Sequence, residues 1–239
     1  MRNSVNRSPE SPADRVLRIP VEDRAVFEDA CVRAATDAEV RAAMIVLTGD
    51  GIGDNSVEPG MPATLGALLV PVIAGLSGRI DDRVLELALA ADIRICDSDT
   101  TFALTAVTES GSGRLPSDGG TQRLPRIVGP GLATDMLLTG RRIIAEEALR
   151  AGLVTEICPA GESKIRAEQL AKEIASNGKS AGRFAKEAVL KGSDMPLDQS
   201  LRLEADLAIL LHTDPERAEG IDAFNGGRHP GFRQDDGSK

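Results

Sequence analysis

Tryptophan and tyrosine are absent, and five phenylalanines make up the whole aromatic complement, so recognition through aromatic side chains cannot be read from this chain. The cysteines are three, Cys31, Cys96 and Cys158. They are far apart and odd in number, and two lie in apolar runs, which points to buried thiols in a reducing compartment rather than a disulfide framework. Only two histidines occur, His212 and His229, each isolated from any other ligand at useful spacing, so no metal site is expected. Basic excess is missing as well. Lys and Arg number 28 against 37 Asp and Glu, a net charge of −9, and no basic block could neutralise a run of phosphates, so a general nucleic-acid role is excluded. No apolar run approaches bilayer-spanning length, and the polar start of the chain, with Pro9 and Pro12, does not resemble a signal peptide. A soluble, cytoplasmic protein without a membrane partner is the expectation. The chain also lacks a GxGxxG after a strand, a P-loop lysine and a nucleophile elbow, so dinucleotide binding, phosphoryl transfer and serine hydrolysis have no support.

What is present suits one α/β domain with an appendage, since 239 residues can bury a sizeable core. Met1 to Asp14 has the composition of a disordered tail. Val16, Leu17 and Ile19 read as a short strand, Glu22 to Ala35 as an amphipathic helix, and Met44 to Leu47 as a buried strand ending at Thr48, Gly49 and Gly51. The stretch from Pro71 to Gly129 organises the rest. Val70 to Ala74 reads as a buried strand stopped by Gly75, Ser77 and Gly78; a helix follows from Asp81 and Asp82; Ile93, Ile95 and Cys96 form a second strand, completing a βαβ unit. Glu86 breaks the apolar pattern of that helix. Among Leu85, Leu87 and Ala88 a buried charge is costly unless it is paired or used. Asp118 reads as a cap for the helix after it, Arg123 and Arg126 as partners of acids. Helices are expected at Leu132 to Leu138 and Ala145 to Ala151, and Val154 to Cys158 as an edge strand. Beyond Pro159 the pattern is helical throughout: Ile165 to Ala175, Ala181 to Leu190, Leu197 to Leu211 and Pro215 to Phe224. Three regions follow: a tail at 1–14, an α/β core at 15–158 and a helical region at 159–239.

GRIDDRVLELALAADIRI, then GRLPSDGGTQRLPRIVG, then LLTGRRIIAEEALRAGLV resembles the crotonase (enoyl-CoA hydratase/isomerase) superfamily, in order and most closely from Ala43 to Val154. The resemblance implies an α/β fold of ββα repeats wound as a spiral core, with C-terminal helices that build homotrimers, often paired into hexamers as dimers of trimers. It also implies an acyl-CoA thioester as substrate, coenzyme A being part of that substrate and no separate cofactor being needed.

Site residues carry over by position. Glu86 matches the glutamate of L-E-L-A. Glu109, with Gly113 and Pro116, matches that of E-x-x-x-G-x-x-P when counted from the C-terminal side; counted from Phe102, Ala106 takes that place. One oxyanion-hole peptide belongs in the loop after Leu47, where TGDGIGDNSVEPG keeps Gly49, Gly51 and Gly53 but loses the Phe, Ala and Gly of the pattern; Gly53 is the candidate, a plain turn the alternative. The second belongs just before L-E-L-A, where the family has three glycines and this chain has Asp82, Arg83 and Val84. The N–H groups of Arg83 and Val84 are the candidate donors, with the Arg83 guanidinium able to add charge or to pair with Asp82. In the terminal EGIDAFNGGRHPGF, Phe224 and Arg228 match substrate-contact positions, while Gly227 stands where a lysine often meets CoA. The N-terminal R-P-x-x-x-N-A pattern that helps hold CoA is missing.

Three readings stand. The first is hydration of a 2-enoyl-CoA through an enolate by Glu86 and Glu109, two carboxylates dividing the proton work. The second keeps one carboxylate and performs double-bond isomerisation, ring hydration or hydrolysis. The third is a non-catalytic relative that serves as an assembly partner.

Overall fold

The computed structural model describes residues 15–49, 56–108, 114–228 and 230. The expected tail at 1–14 lies outside them. A five-stranded parallel sheet forms the centre, in the order β1 (Val16–Arg18), β2 (Ala42–Thr48), β3 (Val72–Ser77), β5 (Ile93–Asp97), β8 (Glu156–Cys158). A second sheet of three short strands, β4 (Arg79–Asp81), β6 (Thr101–Ala103) and β7 (Ile143–Ile144), stands beside it. The helices are α1 (Arg24–Thr36), α2 (Met61–Gly66), α3 (Asp82–Leu89), α4 (Gly120–Val128), α5 (Pro130–Thr139), α6 (Ala145–Arg150), α7 (Ser163–Ala175), α8 (Lys179–Gly192), α9 (Leu197–His212) and α10 (Pro215–Asn225).

β3 begins after Pro71, whose ring nitrogen has no proton for the ladder, and continues through the expected breakers to Ser77. It can continue because β2 pairs with it along its whole length, Val46 opposite Gly75 and Thr48 opposite Ser77. Both faces of the sheet are covered, as a parallel sheet requires. One face meets the main core, with Phe27, Leu47, Leu76, Leu85 and Phe102 fully buried. The other meets α7, whose Ala167, Ala171 and Ala175 form a small-residue stripe against Met44, Ile73 and Ile95. That stripe brings helix and sheet so close that a Cβ on Gly75 would lie 3.1 Å from the Ser163 carbonyl oxygen and 3.2 Å from Ala167 Cβ. α7 is therefore part of the core, and the helices that leave it are α8 to α10.

Three charged groups fasten α7, α8 and α10 to the sheet. Lys186 of α8 reaches Asp92 at 2.7 Å and the Val70 carbonyl at 3.0 Å. Arg41, buried at the start of β2, pairs with Glu216 of α10 at 3.3 Å. Asp97, at the end of β5, accepts the Ser163 N–H at 2.7 Å and so closes the start of α7, which has no side-chain cap of its own. All three cysteines are buried and free, and burial pushes the thiols up, Cys31 to about 11 and Cys96 to about 12.

Filling the contact between β3 and α7 tests this packing. Gly75→Val is expected to lower the urea unfolding free energy by about 2 kcal/mol or more, the overpacking cost of a branched side chain with no room to relax. Gly75→Ala should fall between it and the parent.

Candidate active site

The second sheet exists to launch α3. β4 ends at Asp81, whose carboxylate takes both terminal nitrogens of Arg142, at 2.5 and 2.7 Å, and so ties the helix start to the strand β7 that follows Arg142. From Val84 to Leu89 every side chain of α3 is buried, Glu86 among them at 2 % exposure. What receives the glutamate is the start of another helix. α4 begins at Gly120 behind a left-handed Gly119 and has no side-chain cap from its own N-cap residue. Glu86 Oε1 supplies one from outside, accepting the N–H of Asp118 and of Gly120 at 2.8 Å each. Among the described residues Oε2 accepts no hydrogen bond.

The turn 117–120 is shaped for this contact. A Cβ on Gly120 would sit 2.9 Å from Pro116 Cβ and 3.1 Å from Glu86 Oε1, so only glycine lets the carboxylate approach the backbone. Burial pushes the Glu86 carboxyl above its ordinary range; the two backbone N–H bonds pull it back, and the negative charges of Asp118 and Asp82 push it up again. The net direction is upward, so the carboxyl holds its proton more tightly than an exposed glutamate does.

Asp118 does not cap the helix that follows it. Its Oδ1 accepts instead the N–H of Gly60 at 2.9 Å, at the entrance of α2. Asp82 likewise departs from expectation. In place of a surface pair with Arg83, its carboxylate accepts Thr105 N–H at 2.7 Å, Thr105 Oγ1 at 2.5 Å and Ala106 N–H at 3.0 Å. Its φ of 39° lies in the left-handed region, unusual for a residue with a side chain. The helix start therefore keeps its course through a left-handed residue that carries a side chain, and three hydrogen bonds hold the strained residue there. Arg83 and Val84 follow in the first turn of α3, where backbone N–H groups have no carbonyl partner within the helix.

Of the other positions singled out from the sequence, Glu109 and Gly53 lie outside the described residues. Arg123 meets carbonyls rather than acids, Asp118 O at 2.7 Å and Pro62 O at 3.5 Å; Arg126 faces Asp194 at 3.8 Å. A cavity of about 500 Å³ lies against the same turn, with Ser117, Asp118, Gly119, Arg123 and Arg126 in its wall. Phe224 and Arg228 lie on and after α10, each with neighbours other than Glu86. Phe224 is 87 % exposed and lines an apolar groove of about 430 Å³ with Leu211, His212 and Ile221, while Arg228 pairs with Glu219 at 2.6 Å. Among the described residues no group of His, Cys, Asp or Glu is arranged to hold a metal ion, and no helix is long and apolar enough to cross a membrane. The partners of Asp82 and Asp118 carried no signal in the sequence: Asp82 at a helix start read as a partner of Arg83 and Asp118 as a local cap, whereas each bonds a segment distant in the chain.

Comparison with known proteins points one way. Residues 63–235 match the family model described as enoyl-CoA hydratase/isomerase. The chain is 36 % identical over 179 residues to 2,3-dehydroadipyl-CoA hydratase of Escherichia coli, covering 75 % of this chain and 69 % of that protein. It is 38 % identical over 158 residues to crotonyl-CoA hydratase of Syntrophomonas wolfei, covering 66 % of this chain and 60 % of that protein. Several curated relatives are matched over only 54–62 % of their own length. The crystal structure of an enoyl-CoA hydratase from Bacillus anthracis superposes with a TM-score of 0.77 at 31 % identity, over 86 % of this chain and 87 % of that one.

The Asp82 network has a measurable worth. Asp82→Ala is expected to lower unfolding free energy in urea by about 2–3 kcal/mol, because hydrogen bonds to a charged acceptor are lost and the Thr105 and Ala106 donors are left behind. Asp82→Asn, which keeps an acceptor oxygen, should lie between Ala and the parent.

Proposed function

We propose, because this chain belongs to the enoyl-CoA hydratase/isomerase family, that it acts on an acyl-CoA thioester through an enolate and hydrates a 2-enoyl-CoA. The observation that carries the reading is Glu86: a buried carboxyl fastened through one oxygen to two backbone N–H groups, its proton affinity raised, its other oxygen without a described partner. Hydration adds the water oxygen to C3 of the enoyl group and a proton to C2. Between these events negative charge rests on the thioester oxygen, and N–H donors at a helix start are suited to hold it. In this reading the first-turn N–H groups of Arg83 and Val84 face that oxygen, Gly53 supplies the second donor, and Glu86 transfers a proton through Oε2. Glu109 is assigned the second carboxylate. Coenzyme A is part of the substrate and no separate cofactor is assigned. The names of the two hydratases above support this substrate class.

A second reading rests on Ala106. Counted from Phe102 of β6 it takes the second carboxylate's place, and its N–H is bound to Asp82 beside the start of α3. With Glu86 as the sole proton carrier, the chemistry becomes double-bond isomerisation, ring hydration or hydrolysis.

The assembly assigned to the chain is a homotrimer, alone or paired into a hexamer. Its support is the number of exposed apolar side chains on the outer helices, among them Val189, Leu197, Ile209 and Phe224. A cytoplasmic location belongs to the same reading, in keeping with three free, buried thiols.

Two substitutions test the chemistry. Glu86→Gln keeps an acceptor for the Asp118 and Gly120 N–H groups, so the fold should persist. Because folding raises the Glu86 pKa, the native state holds its proton more tightly than the unfolded chain, and stability falls as pH rises from the ordinary carboxylate range through the raised value. The Gln variant lacks that loss and should be at least as stable at pH 8, while hydration of crotonyl-CoA falls by about a hundredfold or more. Turnover that survives Glu86→Gln would end the assignment. Glu109→Gln separates the readings: a loss of similar size supports two carboxylates, and unchanged activity supports one. Light scattering of the full chain checks the assembly, three or six chains per particle being the expected result and a monomer the result against it.

A further inference from the structure

Asp118 is attached at both ends to elements distant in the chain. Its N–H donates to Glu86 Oε1 at 2.8 Å, and its Oδ1 accepts the N–H of Gly60, the left-handed residue that opens α2, at 2.9 Å. Its carbonyl accepts Arg123 Nη1 at 2.7 Å, and the same guanidinium reaches the Pro62 carbonyl in the first turn of α2 through Nη2 at 3.5 Å. The remaining oxygen, Oδ2, is buried and has no hydrogen-bond partner among the described residues. A buried carboxylate oxygen left unsatisfied costs stability. None of the other three contacts requires the charge: an asparagine would serve Gly60 equally well. An acid therefore stands at a cost at the residue whose backbone holds Glu86.

We infer that Asp118 is a positioning residue for Glu86, its backbone holding the glutamate and its charged side chain joining the start of α2 to that contact, so that loop, charge and proton carrier move as one unit. The inference rests on Glu86 being the proton carrier. A fixed negative charge beside Glu86 favours its protonated form, in line with the upward push that Asp118 exerts. The other charged groups on the elements packed around Glu86 are Asp82 and Arg83 of α3, Arg79 and Asp81 of β4, and Arg123 and Arg126 of α4. Asp82 of α3 is bound by Thr105 and Ala106, Asp81 of β4 by Arg142, and Arg123 of α4 by two carbonyls. α2 and β6 carry no titratable side chain.

The test uses the full chain and does not need turnover. The Glu86 carboxyl is titrated by carbon NMR, its signal assigned by its absence in Glu86→Gln, and amide exchange of Gly60 is followed in parallel. Asp118→Asn should lower the Glu86 midpoint by about half a pH unit, a threefold loss of proton affinity, with the fold intact. Asp118→Ala should speed exchange at Gly60 several-fold. An unmoved Glu86 midpoint in folded Asp118→Asn, or unmoved Gly60 exchange in folded Asp118→Ala, overturns the inference; if the alanine variant does not fold, the asparagine variant decides by itself. Absence of activity on every enoyl-CoA would overturn the proposed reaction and leave both of these readouts standing. A merely structural Asp118 would alter stability without shifting the Glu86 midpoint.

Discussion

A carboxylate delivered from one helix to the unfinished start of another is the contact on which the centre of this molecule depends. An α-helix begins with backbone N–H groups that have no partner inside it and with a partial positive charge. α2, α4 and α7 have no side-chain cap from their own N-cap residue, and each start is met by an acid from elsewhere: Asp118 at Gly60, Glu86 at Asp118 and Gly120, Asp97 at Ser163. Such a contact does two things. It satisfies buried donors that would otherwise each cost about 1–3 kcal/mol, and it fixes where the helices stand relative to one another.

For Glu86 the same contact defines a chemical state. Desolvation favours the neutral acid and the two N–H groups favour the anion, so the carboxyl is held between them with the balance upward. Fastening by Oε1 alone leaves the second oxygen for other work. The rigidity around it comes from α3, buried from Val84 to Leu89, and from Asp82, kept at a left-handed φ by its bonds to Thr105 and Ala106. Strain of about 1–2 kcal/mol at such a residue persists only where surrounding contacts over-determine it. Where glycine would have given freedom at the helix start, this chain has an anchored acid.

Much of the frame could be read in advance. Short β-branched runs at Ile45, Ile73 and Ile95 declared three neighbouring strands, and the helix between the last two was marked by its leucines. Glu86 was visible because it broke an apolar pattern, an anomaly of one residue that burial makes meaningful. The outer helices α8 to α10 fell close to their expected limits. β4, β6 and β7 did not declare themselves, since two or three residues carry no period, and pairing with one another is what makes them strands. α7 read as one more helix of the outer group. Its alanines at 167, 171 and 175 acquire meaning only against Gly75, where small residues on both sides allow close approach.

The sequence by itself determined the alternation of strand and helix, the family resemblance and the identity of the buried acid, because local periodicity and the cost of an isolated charge are written residue by residue. Only the tertiary structure decided what each acid serves. Asp82, Asp97 and Asp118 could all pass for local caps or surface groups, and the N–H groups that donate to them, those of Thr105, Ser163 and Gly60, lie far along the chain. A hydrogen bond depends on distance and direction in space, and the fold alone brings those groups within 3 Å of one another.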